Sequence, residues 1–552
     1  MSIQSLALTV LYPGSKSSGR ILAVLPAVLF GWGLTACAFL SQPDHVDEPT
    51  TPGAAGVVVP EFKPISFEFR HRYDDSVSFP FLGAAVIDVD GDGGGEIFLG
   101  GGAGQADALY RFKDGAFYDI SPGAGLAGAA VDSATYSVLS LDLDRDGDVD
   151  LLVTRDDGLY LLTNTRGVFA SRQIPLELEE HTIPLQVAAA DLNGDGWADL
   201  YISTFVAPSH FRTATYNDPG HGRKNLLLLN TGNNHFRNIS DDSGVAVRQN
   251  TFLSAFVDLN GDRKADLVVA ENTGRVRIFR NSGGLKFVEQ ASPTGYGFWM
   301  GLGVADVDGD GDTDLFLSNA GNSVPAFAIK GDLREDQPQD LAWGLLRNDG
   351  DFRFTSITKP AGLGGMEFAW GAAFADFNLD GRPDLSVAEN YIKWYVHKFS
   401  KAPGRFLLQD GGGRFVPTEG LAGVENYFFG QSPLIGDFND DGAPDLIYVN
   451  MDGPARAFLS RGKPGETVGN FLKVVLKDNV ENLGAKVTVR LANGDQHTRE
   501  VAVGLGFLTD QSSEIIFGLG DATAIRSVDV VWPSGKRKTL RGMQVNSRVV
   551  VD

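Results

Sequence analysis

Seven short stretches of this 552-residue chain set oxygen-bearing side chains at positions 1, 3, 5 and 9 of one recurring phrase. Position 1 is Asp88, Asp142, Asp191, Asp258, Asp306, Asp376 or Asp437. Position 3 is Asp90, Asp144 or Asp308 in three copies and Asn193, Asn260, Asn378 or Asn439 in the other four. Position 5 is Asp92, Asp146, Asp195, Asp262, Asp310, Asp380 or Asp441, and position 9 is Glu96, Asp150, Asp199, Asp266, Asp314, Asp384 or Asp445. At position 7, Gly94, Asp148, Trp197, Lys264, Asp312, Arg382 and Ala443 each have a backbone carbonyl to offer. Hard oxygen donors in such number suit Ca²⁺, which takes six to eight oxygens at about 2.3–2.6 Å in a tolerant geometry, whereas Mg²⁺ demands a tighter octahedron. Position 6, where the chain must turn sharply around an ion, is Gly in six copies, and Arg263 is the exception. The expectation is up to seven bound Ca²⁺ ions.

Charge supports a metal over a merely solvated acidic surface. The phrases hold 24 carboxylates against a formal net charge of −23, and seven Ca²⁺ would bring that balance to −9. Without cations, three or four carboxylates within nine residues repel one another by on the order of 1–4 kcal/mol per close pair. An EF-hand begins in a similar way but needs a bidentate Glu at position 12 and a following helix. Here position 12 is apolar or Tyr448, and each phrase runs into β-branched and aliphatic residues such as LVV and LLV. Those runs are strands, and apolar runs such as FLGAAVI and FLSAFV precede the phrases, so the acidic loops lie between strands.

The elements that position the loops follow from their spacing. Successive phrases start 54, 49, 67, 48, 70 and 61 residues apart; the shorter intervals suit one four-stranded propeller blade. A third strand such as GLYLLTN or NLLLLN and a fourth with a recurring Phe are joined by NTRG, NTGN, NSGG, NDGD or DGGG turns. The seventh unit lacks its own fourth strand after Arg456–Arg461, whereas Ile65–Arg72 upstream matches one. Circular closure, with the N-terminal strand completing the last blade, leaves no exposed edge. The fold expected is all-β: a seven-bladed propeller over residues 60–465. The long intervals place insertions at 203–225, 318–344 and 389–404, on the face opposite the acidic loops, with His210, His221, His397, Trp343, Tyr391, Trp394 and Tyr395 in them and His235 at a nearby turn.

The N-terminus carries Lys16 and Arg20, an apolar run too short to span a bilayer, and Leu34-Thr35-Ala36-Cys37. Residues 1–36 are read as a signal peptide. The tetrapeptide resembles the bacterial lipobox, which implies acylation of Cys37 and attachment to an outer membrane or cell surface. Cys37 is the single cysteine, so disulfides and thiolate metal sites are excluded. Residues 37–60 form a Pro-rich tether. Residues 468–552 alternate with period two between turns, which argues a small all-β module. There ENLGAKVTV, GLGFLTDQSSEIIFGLG and VVWPSG resemble the ASPIC/UnbV family. The propeller resembles the FG-GAP/VCBS repeats of integrin heads, and the combined architecture is similar to the cartilage acidic protein family. That resemblance implies an extracellular, calcium-binding, adhesive or scaffolding protein with no established chemistry.

Catalytic motifs are absent from the sequence: there is no HExxH, GxSxG, P-loop or dinucleotide fingerprint. A pI near 4.7 makes nucleic acid a poor partner. Asp510, Gln511, Ser512, Ser513 and Glu514 form a dense polar run read as a turn and hairpin. The leading reading is a surface protein that binds an extracellular glycan or protein. The alternative is an exported propeller enzyme acting on polysaccharide or an envelope substrate, with His210, His221 or His397 and Tyr391 as its groups, to be judged by whether those side chains converge.

Overall fold

The computed structural model describes residues 56–74, 77–126, 132–211, 221–321, 336–389 and 403–551. Residues 1–36, read as a signal peptide, and Cys37, Tyr391, Trp394, Tyr395 and His397 lie outside the described residues. Among the described residues no helix is long and apolar enough to cross a membrane.

Seven sheets each hold a path of four antiparallel strands. The second is representative: Thr135–Leu141, Asp150–Arg155, Gly158–Thr165 and Val168–Ile174 pair in sequence order. Its two inner strands are buried at every residue, while the outermost is mostly exposed. This explains the sequence texture. A strand covered on both faces reads as an unbroken apolar run, and a strand with one wet face alternates.

Each sheet packs face to face on the next, and the cores between them close a ring. Leu139, Leu152 and Leu159 of the second sheet meet Leu200 and Ile202 of the third. Equivalent clusters join first to second, third to fourth, fourth to fifth, fifth to sixth and sixth to seventh. The last cluster, with Leu434, Ile447 and Val449 of the seventh sheet against Val86 and Ile97 of the first, closes the circle. The inner strands crowd where the sixth and seventh sheets meet: a Cβ added to Gly371 would stand 2.4 Å from Ser432 Oγ.

An N-terminal strand does complete the seventh sheet, but it is Phe62–Ile65, paired antiparallel with Arg456–Ser460 in the register Phe62↔Ser460 to Ile65↔Ala457. The expected Ile65–Arg72 segment is displaced; beyond Ile65 it leaves the strand ladder and meets the sheet at an Arg70↔Pro454 bridge, where Ala455 N–H donates to Phe69 O at 3.0 Å. Its alternating Phe67 and Phe69 are buried in the core between the seventh and first sheets, so they pack without pairing. Trp343, expected in an insertion, is 2% exposed in the core between the fifth and sixth sheets.

The C-terminal module holds two sheets, one joining Glu514–Gly520, Asn470–Leu476 and Ser547–Val551, the other Gln496–Glu500, Lys486–Leu491, Ile525–Val531 and Arg537–Leu540. It sits on the face that carries the acidic loops. Asp142 N–H donates to Asp478 O at 2.7 Å, Gly469 N–H to Asn378 O at 3.0 Å and Gly520 N–H to Leu379 O at 2.8 Å.

Candidate metal centres

Every acidic phrase links the first strand of a sheet to its second, and backbone N–H groups hold its carboxylates in one repeated pattern. One oxygen of each position-1 carboxylate accepts from the N–H of position 6, with all seven distances between 2.7 and 3.2 Å. Each position-5 carboxylate accepts from the N–H of position 7, as Asp146 does from Asp148 at 2.9 Å and Asp310 from Asp312 at 2.8 Å. These are the local Asx contacts that bend a short loop around a centre. The chain tolerates the bend because Gly91, Gly194, Gly261 and Gly309 take left-handed backbone at position 4.

Position 9 is set deepest. In all seven phrases one of its oxygens accepts from the N–H of position 2. In the second to seventh sheets the other accepts from the third strand, at Asn164, Asn230, Asn281, Asn348, Gln409 and Ser460. Glu96, one methylene longer, instead takes the Arg111 Nε–H at 2.6 Å. The position-9 carboxylate therefore braces three strands and still has lone pairs for a cation.

This crowding has an electrostatic consequence. Burial pushes the carboxyls of Glu96, Asp150, Asp199, Asp266 and Asp314 up to about 7, and Asp384 and Asp445 well above the usual range. Burial, then neighbouring carboxylates, also raises position 1 at Asp88, Asp142 and Asp306, the last to about 6. A dication among them would reverse the direction by favouring the charged forms. The donors fit a hard cation best where position 3 is Asp: oxygens of Asp88, Asp90 and Glu96, of Asp142, Asp144 and Asp146, and of Asp306, Asp308 and Asp314 lie within 4.8 Å of one another.

The loops are not equivalent. Lys264 Nζ stands 3.0 Å from Asp262 in the fourth, and Arg382 pairs with Asp380 in the sixth. In the seventh, buried Lys473 reaches across from the module to Asp437 at 2.6 Å and Asp440 at 2.7 Å. Arg111 bridges Asp90 and Glu96 in the first. Neither the second nor the third loop has such an ion pair on its carboxylates among the described residues, and the second, with five carboxylates to the third's three, has the least compensated charge.

Two features escaped the sequence. The Asn opening several of the turns between third and fourth strands also stitches neighbouring sheets together: Asn164 Nδ2 donates to Val89 O at 2.8 Å, and Asn348 Nδ2 to Leu259 O at 2.9 Å, each a position-2 carbonyl of the preceding phrase. Gln409 Nε2 does the same to Val307 O at 3.0 Å. Only the recurrence of Asn at one offset hinted at this.

The second feature is a plug. Phe507 and Leu508 of the C-terminal module are 0% exposed within the central cluster, which also takes Phe81, Phe252, Trp370 and Phe429 from the inner rims. Thr509–Asp510 pairs in parallel with Ala84 and Ala85 of the first sheet, and Gly506 exchanges N–H···O bonds with Leu302. Asp510 accepts from Ser140 N–H at 2.7 Å and Gly504 N–H at 2.9 Å, and Gln511 Oε1 from Ile435 N–H at 3.0 Å. The polar run read as a turn and hairpin is thus a docking segment, with Glu514 starting a strand. Its signal was Gly504 and Gly506, both at positive φ, around an apolar pair.

His210 stacks on His181 with ring centroids 3.3 Å apart, and buried His221 lies near Phe211; His235 bonds its own turn through Gly232 O.

Comparison with known proteins finds relatives of both the repeats and the C-terminal segment. The description "ASPIC and UnbV" matches residues 476–552, and "FG-GAP-like repeat" matches 88–153, 142–202, 258–317 and 333–387. Mouse cartilage acidic protein 1 is 24% identical over 488 residues, covering 82% of this chain and 62% of that protein. Human integrin alpha-7 is 33% identical over 97 residues, 17% of this chain and 8% of that one. A crystal structure of BBS1N in complex with ARL6DN aligns with a TM-score of 0.42 at 10% identity, covering 71% of this chain and 96% of that one.

Proposed function

We propose, for a chain that carries FG-GAP-like repeats and an ASPIC/UnbV domain and is homologous to cartilage acidic protein 1, that it is an exported, calcium-dependent binding and scaffolding protein for an extracellular glycan or protein. The observation that carries this reading is the sevenfold repetition of one oxygen-lined loop. Ca²⁺ would be held by positions 1, 3, 5 and 9 of each phrase, and when bound it would neutralise carboxylates that burial otherwise drives toward protonation. The likeness of one segment to integrin alpha-7 supports an adhesive role. Acylation at Cys37 would anchor the protein to the bacterial envelope, where calcium outside the cytosol suffices for low-affinity sites.

Immobilised protein is exposed to a glycan array and to matrix proteins, first in calcium and then in chelator. Retention of a partner in calcium and its release by chelator is the expected result; retention of none in either buffer would refute a binding role. Separately, Cys37→Ala should move the protein from the membrane fraction to the soluble one, and unchanged membrane attachment would remove the anchor.

A further inference from the structure

Three acidic loops open onto a cleft of about 730 Å³ between the propeller and the C-terminal module. The second, third and fourth loops form one wall; the Val480–Asn482 turn with Pro533 and Ser534 faces them. Four loop residues other than Gly take left-handed backbone: Arg145 (φ 68°), Arg263 (φ 67°), Leu379 (φ 59°) and Asp440 (φ 54°). Such backbone disfavours any residue with a Cβ, so each side chain needs a reason to be there. Leu379 is wholly buried beneath the module, and Asp440 pairs with Lys473. Arg145 and Arg263 both line the cleft.

The two guanidiniums are poised rather than spent. Arg145 lies 4.0 Å over the Trp197 ring and donates to Asp195 O at 3.0 Å, which orients its fork. The Arg263 side chain makes no ion pair among the described residues, and Gly535 of the module leaves room for it: a Cβ there would stand 3.1 Å from Nη1. A planar guanidinium accepts a carboxylate through two parallel hydrogen bonds. A cleft of this volume suits a ligand of oligomer size. A folded protein would need a broad interface with an apolar centre, which a cleft rimmed by charged loops does not provide.

We propose that this cleft binds an acidic polysaccharide whose carboxylates are taken by Arg145 and Arg263. The proposal rests on the calcium-dependent binding reading, because Asp142, Asp191, Asp195 and Asp258 also line the cleft and would repel the ligand unless their loops were loaded, whereas its other two carboxylates, Glu481 and Glu500, are paired with Lys536 at 3.6 Å and Lys486 at 3.7 Å.

The test uses the full chain in calcium, with oligogalacturonate as probe and a neutral dextran oligomer as comparator. Arg145→Gly and Arg263→Gly put the unstrained residue at each position, which offsets the contacts Arg145 loses to Trp197 and Asp195, so both variants should stay folded with thermal midpoints within a few degrees of the wild type's. Each should weaken oligogalacturonate binding by about tenfold or more, the fold-change expected for a lost hydrogen bond to a charged group. Wild-type protein that ignores oligogalacturonate, or variants that bind it as tightly, would overturn the proposal. Binding of dextran or a matrix protein unchanged by either variant would keep the binding reading and place the site elsewhere; binding of nothing in the set would end both.

Discussion

Replacing Phe507 by Ala removes the centre of the plug, and its cost can be worked from the structure. The ring is 0% exposed and meets Trp370, Phe81 and Phe252 with centroids 4.9, 5.4 and 5.5 Å away. A buried Phe hides on the order of 150–250 Å², worth roughly 4–6 kcal/mol at 25 cal/mol/Å², of which the remaining Cβ recovers a little. The rigid surround cannot collapse into the space, so a loss of about 3–5 kcal/mol is expected. Calorimetry reads it in two ways. The midpoint falls, and the endotherm separates into module and propeller components because the segment that couples them is loosened. Tyr118→Ala, at a 52% exposed position on the outer rim, serves as the comparison and should change stability by less than about 0.5 kcal/mol. A Phe507→Ala protein that melts in one transition within a degree of wild type would refute the claim that the module is docked through the central cluster.

Removing calcium should leave a protein whose stability falls as pH rises. Glu96, Asp150, Asp199, Asp266 and Asp314 are pushed up to about 7 in the folded state against about 4 unfolded, so the folded chain holds extra protons in that interval and loses their benefit between pH 4 and 7. His71, held down to about 4 by burial, opposes this with one group. Thermal midpoints in chelator at pH 5 and pH 8 check it, and a higher midpoint at pH 8 contradicts it. Asp144→Asn should release a tightly held ion, because the second loop has no basic side chain on its carboxylates, whereas Asp262→Asn, whose carboxylate already pairs with Lys264 at 3.0 Å, should change bound calcium less; metal analysis of the two variants decides. Asn164→Ala leaves the buried Val89 and Val149 carbonyls without their donor and should cost about 1–3 kcal/mol in denaturant unfolding, where an unchanged midpoint would remove the proposed stitch.

What could be read from the residues was what repeats or lies close along the chain. The phrase spacing, the unbroken inner strands and the recurring Phe of the fourth strands describe local structure, and sheet after sheet follows them. What could not be read depends on partners far apart. Asn164 meets Val89 75 residues away, and Asp510 meets Ser140 370 residues away; neither pairing leaves a local pattern. The closing strand was displaced because FKPI and ISFEFRHR both suit an edge, and only packing of Phe67 and Phe69 against the first sheet separates them. The acidic loops were legible in composition but not in rank, since Lys473, which compensates the seventh, comes from another domain. The location of the module on the acidic face also moves attention from the insertions to the cleft it roofs.

The central claim is that the acidic loops are the calcium-held frame of the ring. Metal content after gel filtration in calcium, followed by calorimetry with and without chelator, tests it most directly. The account predicts at least the three ions of the Asp-rich loops, up to seven per chain. It also predicts a large fall in midpoint on chelation, since each site held at a hundredfold excess over Kd contributes about 2.7 kcal/mol. Protein that retains no calcium and melts at the same temperature in chelator would contradict it.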